Sequence, residues 1–106
     1  MSSSYREVYR HLLNAQKLLN SQDLSVLDPQ RQLEVVQAQG VIFAEIQALI
    51  VRRLSERNEE YSAATEGFQQ SEAGFLEIQE WATSAENGEK IFGGIIKGLS
   101  ILLPIL

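Results

Sequence analysis

An all-α fold is predicted for this 106-residue chain by three features of its sequence. A capping box opens an amphipathic stretch near the N-terminus. Two apolar sets then repeat every seven residues from position 33 to position 85. Both prolines, Pro29 and Pro104, fall near the ends of these segments, where a helix tolerates them. A chain of this length makes one domain with room for a core that needs no disulfide or metal staple.

The first element starts at Ser4-Tyr5-Arg6-Glu7, where the Ser hydroxyl and the Glu carboxylate can each satisfy a free backbone N–H. Tyr5, Val8, Leu12, Ala15 and Leu19 follow at steps of three and four, so they form one stripe of a helix over 4–20. The stretch NSQDLSVLDPQ breaks this period. Asp28-Pro29 then starts a second helix, with Asp as cap and Pro at a position that loses no hydrogen bond.

This second helix is expected to run from 29 to 86. Leu33, Gly40, Gln47, Leu54, Tyr61, Phe68, Phe75 and Ala82 form one heptad set; Val36, Phe43, Ile50, Arg57, Ala64, Ser71, Ile78 and Ala85 form the other. A heptad register sustained this long predicts coiled-coil-type packing. A single helix of that length would reach roughly 85 to 90 Å and could bury its seam only against another chain. A hairpin turning in the polar segment 52–60 would bury the seam against itself. Neither Gly nor Pro marks a turn there, which favours the continuous helix. Val35, Val41, Ile42, Ile46, Leu49 and Val51 widen the apolar arc upstream, so this part must touch more than one neighbour, the first helix among them. Downstream, Gly67 and Gly74 permit close helix approach, and Trp81 adds a large anchor.

Asn87-Gly88 is the expected stop, because both residue types tolerate the left-handed conformation. The segment 89–106 is apolar and is expected to be helical to about 104. Its sixteen residues from Ile91 to Leu106 fall short of the roughly 20 that span a bilayer. Two readings stay open for Phe92, Ile95, Ile96, Lys97, Leu99, Leu102 and Leu103. They pack as the last core helix, or they engage a membrane with Lys90 and Lys97 at the head groups and Gly94-x-x-x-Gly98 as a helix contact.

The formal net charge of −5 argues against nucleic acid as a partner, since phosphate recognition needs clustered Lys and Arg. Eight glutamates lie between positions 59 and 89, at 59, 60, 66, 72, 77, 80, 86 and 89, and read as a solvated face. A basic partner is the sharper alternative, with Arg52, Arg53 and Arg57 of a second copy as its cheapest source. Without cysteine there is no thiolate chemistry, and His11 is the lone histidine, so neither a His-based metal site nor a His-assisted nucleophile is expected. Glu56, Glu59 and Glu60, and Glu77 with Glu80, share helix faces but read as surface charge. No phosphate-binding loop is present. The N-terminus lacks a basic run followed by an apolar stretch, so a cytoplasmic or membrane-associated location is expected.

The sequence therefore predicts a non-enzymatic structural protein without cofactor, acting as a homo-oligomer or as a subunit of a larger complex. Leu33, Val36, Phe43, Ile50, Leu54, Tyr61, Phe68, Phe75, Ile78 and Trp81 are the expected interface. A membrane-active helical effector and an adaptor or chaperone for a partner helix are the alternatives.

Overall fold

A computed structural model of the chain describes residues 3–51 and 58–106. Helix α1 spans Tyr5–Asn20, capped by Ser4, whose hydroxyl oxygen accepts from the Glu7 N–H at 3.3 Å. Its buried residues are Tyr5, Val8, Leu12, Ala15 and Leu19, the stripe the spacing predicts. A 3-10 turn at Leu24–Val26 follows, and Asp28 caps α2, which spans Pro29–Ile50, by accepting from the Arg31 N–H at 2.9 Å.

Here the structure corrects the long helix. α2 ends at Ile50, and the next helices among the described residues are the short α3, Glu66–Gln69, and α4, Glu72–Ser84. Residues 59–61 run beside the N-terminal segment instead: the Tyr5 N–H donates to the Glu59 carbonyl at 3.1 Å and the Tyr61 N–H to the Ser3 carbonyl at 2.8 Å. The backbone at 59 and 61 thus finds partners outside any helix, which offsets the cost of leaving helical form there. Among the described residues this isolated pairing is the only β-type contact. α4 packs back on α2, so the chain doubles on itself between Val51 and Thr65. Leu54, Arg52, Arg53, Glu56 and Arg57 lie outside the described residues.

α4 ends at Ser84, earlier than the expected stop, where Ala85 turns extended; Asn87, left-handed with φ 57°, then leads into the next helix. Gly88 opens the four-residue α5, Gly88–Ile91; a Cβ there would come within 2.1 Å of the Ala82 carbonyl oxygen, so only glycine fits. Helix α6, Gly93–Leu102, then lies across α1, its most extensive contact, and ends in a 3-10 turn at Leu103–Ile105. Gly94 and Gly98 make that approach possible. A Cβ on Gly94 would meet the Leu18 carbonyl oxygen at 2.6 Å, and one on Gly98 the Ala15 carbonyl oxygen at 3.1 Å. Gly67 and Gly74, which would permit close helix approach, are not used for it: the nearest atom to a Cβ on Gly67 is 3.9 Å away, and Gly74 has nothing within 4 Å.

The core sits between α1, α2, α4 and α6 and includes Leu12, Leu19, Val35, Ile42, Phe68, Ile95, Leu99 and Leu102, all nearly inaccessible. Each such side chain contributes about 1.5 to 3 kcal/mol of transfer free energy. Phe68 meets Phe75 edge-on at 6.3 Å, and Trp81 packs on Phe92 at 4.8 Å.

Candidate functional site

α2 has two apolar faces, and this fold buries one of them. Val35, Ala38, Ile42, Ile46 and Leu49, residues that mostly widened the apolar arc, point inward. The heptad residues point outward: Leu33 is 57% exposed, Val36 48%, Phe43 53% and Ile50 50%. Gly40 and Gln47 complete the two heptad rows on the same exposed side, and Val51 extends it. Adjoining them are the exposed Gln37 and Ala44. No charged side chain interrupts this surface from position 33 to position 51, a run of about 27 Å at helical rise.

The face is held rigidly from behind. Glu45 is fully buried on the inward side. Its carboxylate accepts from the Tyr61 hydroxyl at 2.5 Å, the Ala64 N–H at 2.7 Å, the Thr65 N–H at 2.9 Å and the Thr65 hydroxyl at 2.7 Å. A buried carboxylate is tolerated only when such donors replace its water, so Glu45 fixes both the rotation of α2 and the path of 61–65. Thr65 in turn caps α3 by accepting from the Phe68 N–H. Tyr61 also packs edge-on against Tyr5 at 5.3 Å, which ties this clasp to α1. At the other end, Arg31 pairs with Glu34 at 2.7 Å and lies over the Trp81 ring at 4.8 Å. The Gln39 amide donates to the Leu19 carbonyl at 3.3 Å.

The predicted interface residues therefore separate into two groups. Leu33, Val36, Phe43 and Ile50 share the exposed face. Phe68, Phe75 and Ile78 are buried within the chain, while Tyr61 and Trp81 are half-buried at its joints. In the C-terminal segment Phe92, Ile95, Leu99 and Leu102 are core, Ile96 and Leu103 are partly buried against it, and Lys97 is exposed. The strip of small residues beside the lysines is occupied by α1. All eight glutamates from 59 to 89 are exposed, as a solvated face requires.

Glu45 is the residue that reading the sequence overlooked. Its signal was present: it is a lone charge flanked by Ile42, Ile46 and Leu49 at the spacing of one helix face. Other concavities offer less. A groove of about 220 Å³ runs between α2 and α4 past Gly67, Gly74 and Val41, and a polar hollow of about 400 Å³ lies beside Gln22, Lys90 and Lys97. Among the described residues no group of three His, Asp or Glu side chains is placed to hold a metal ion. α2 is also the one helix among them long and apolar enough to cross a membrane, with a mean hydropathy of 1.3 over its most apolar window. A third of that window is buried in the fold. Comparison with protein-family models, curated proteins and solved structures finds no match.

Proposed function

We propose that the protein is a non-enzymatic assembly subunit that self-associates through the outward face of α2, while its C-terminal segment serves as internal packing. The supporting observation is the uncharged, heptad-spaced surface of Leu33, Val36, Phe43 and Ile50, each about half exposed on a rigidly held helix. Scattered apolar residues on a surface are ordinary, but a continuous stripe with coiled-coil spacing is what a partner helix packs into. The interface is consequently narrower than the full heptad run. Its downstream half stabilises the subunit, and its upstream half joins subunits.

Light scattering after size exclusion, run over a range of concentrations, tests this. The expected result is a discrete oligomer that a Phe43→Glu substitution converts to a monomer that stays folded, with the helical content of wild type and the melting temperature that wild type shows when diluted to monomer. A wild-type chain that stays monomeric at all concentrations sinks the reading. Repeating the run with anionic vesicles decides against a membrane device if the chain does not co-migrate with lipid, and in favour of one if co-migration requires an intact α2 face.

A further inference from the structure

Building on that assembly reading, we propose that the occupant of the α2 face is a second copy of α2 lying antiparallel, with each Phe43 seated over the partner's Gly40. The heptad rows make this register self-complementary. Antiparallel helices pair the positions of one row with those of the other, so Leu33 faces the partner's Ile50, Val36 faces the partner's Gln47, and Gly40 faces the partner's Phe43. The same three layers repeat in reverse beyond the centre, as a two-fold axis between residues 41 and 42 demands.

The side chains favour this orientation over a parallel one. Gly40 lacks a side chain on the exposed face, and nothing lies within 4 Å of the position its Cβ would take, so it leaves a dent open to the outside. Phe43, one turn away, is the largest projection on that face and is half exposed. Antiparallel pairing places projection on dent twice. In-register parallel pairing would set dent against dent and ring against ring, giving one void layer and one overfilled layer. Opposed helix dipoles add a smaller preference of the same sign. Among the described residues from Leu33 to Val51 no exposed charge lies on these rows, and Gln37, Ala44 and Val51 flank them on the open side. Leu33, Val36, Phe43, Ile50 and Val51, each about half exposed or more, supply apolar surface for such an interface.

The chain has no cysteine, so orientation can be read by cross-linking. Leu33→Cys and Ile50→Cys proteins are prepared separately, mixed in equal amounts and treated with a short bismaleimide. Antiparallel pairing gives chiefly the mixed product joining position 33 to position 50. Predominance of the two same-site products overturns the antiparallel register while leaving assembly through α2 intact. An oligomer that links through neither site overturns the α2 interface itself, and a protein monomeric before any substitution overturns the assembly reading beneath it.

Gly40→Leu supplies a second, independent measure. Diluted to monomer, the subunit should melt no lower than wild type, because the added side chain meets open space, yet the dimer dissociation constant should rise at least about tenfold because the seat for Phe43 is filled. The exchange Gly40→Phe with Phe43→Gly restores the layer with its members reversed and should return the constant to within about threefold of wild type. A Gly40→Leu chain that associates as tightly as wild type refutes the seating of Phe43.

Discussion

The two halves of one heptad pattern meet opposite fates in this molecule. From 33 to 50 the heptad residues lie on the surface of α2, and from 68 to 82 they lie in the core as Phe68, Phe75, Ile78 and Ala82. The difference comes from what else each segment carries. α4 has one apolar face, and folding buries it. α2 has two, and a single chain of this size covers one. The face turned inward is the one bearing Glu45, and its carboxylate is tolerated there because Tyr61, Ala64 and Thr65 supply donors. A heptad period therefore reports a helix surface able to pack, and the competition between faces decides what packs there.

Truncation within the two halves gives the largest contrast. Phe68→Ala removes a side chain of 0% exposure and should cost about 3 to 5 kcal/mol in urea unfolding. Phe43→Ala, at the same kind of heptad position, should change subunit stability by no more than about 0.5 kcal/mol. Equal losses at the two sites would erase the distinction between the halves.

Glu45 sharpens the comparison next. Glu45→Ala removes the acceptor of the Tyr61 hydroxyl and of the Ala64 and Thr65 N–H groups and should cost about 3 kcal/mol, with hydrogen exchange accelerated at those two amides. Glu45→Gln keeps one acceptor oxygen and should cost roughly half as much. Retained protection at Ala64 and Thr65 in the alanine variant would mean that something other than this clasp chooses the face of α2.

How much of this was legible in the sequence differs from element to element. α1 could be read completely, since the Ser4 cap and its five-residue stripe are local and period-bound. The start of α2 at Asp28-Pro29 was equally plain, because both signals act within one turn. The end of α2 was not. Residues 59–65 carry no Gly or Pro, and their helix is broken by partners distant in sequence, the N-terminal segment and Glu45. The glycines show the same limit. The sequence left Gly94 and Gly98 open between a membrane-side contact and core packing, and in the fold they are where α6 rests on the backbone of α1.

The smallest expected effect concerns the turn that leads into α2. Asp23 accepts from the Ser25 hydroxyl at 2.6 Å and the Ser25 N–H at 2.9 Å, and these bonds hold its carboxyl below the usual carboxylate range. A carboxyl depressed on folding adds stability above its unfolded value and loses it as the pH falls through the lower folded value. The difference in melting temperature between wild type and Asp23→Asn should therefore be small near neutrality and vanish in acid. A difference that grows on acidification would contradict the direction of that shift.

The sequence alone determined the all-α class, the capped starts of α1 and α2, the left-handed Asn87 and the acidic surface, because each depends on bonds and periods that span a few residues. Only the tertiary structure decided where the long heptad run breaks, which face of α2 turns inward and what Gly94 and Gly98 approach. Those outcomes depend on which distant groups satisfy a buried carboxylate and a freed backbone, and no local period encodes that pairing.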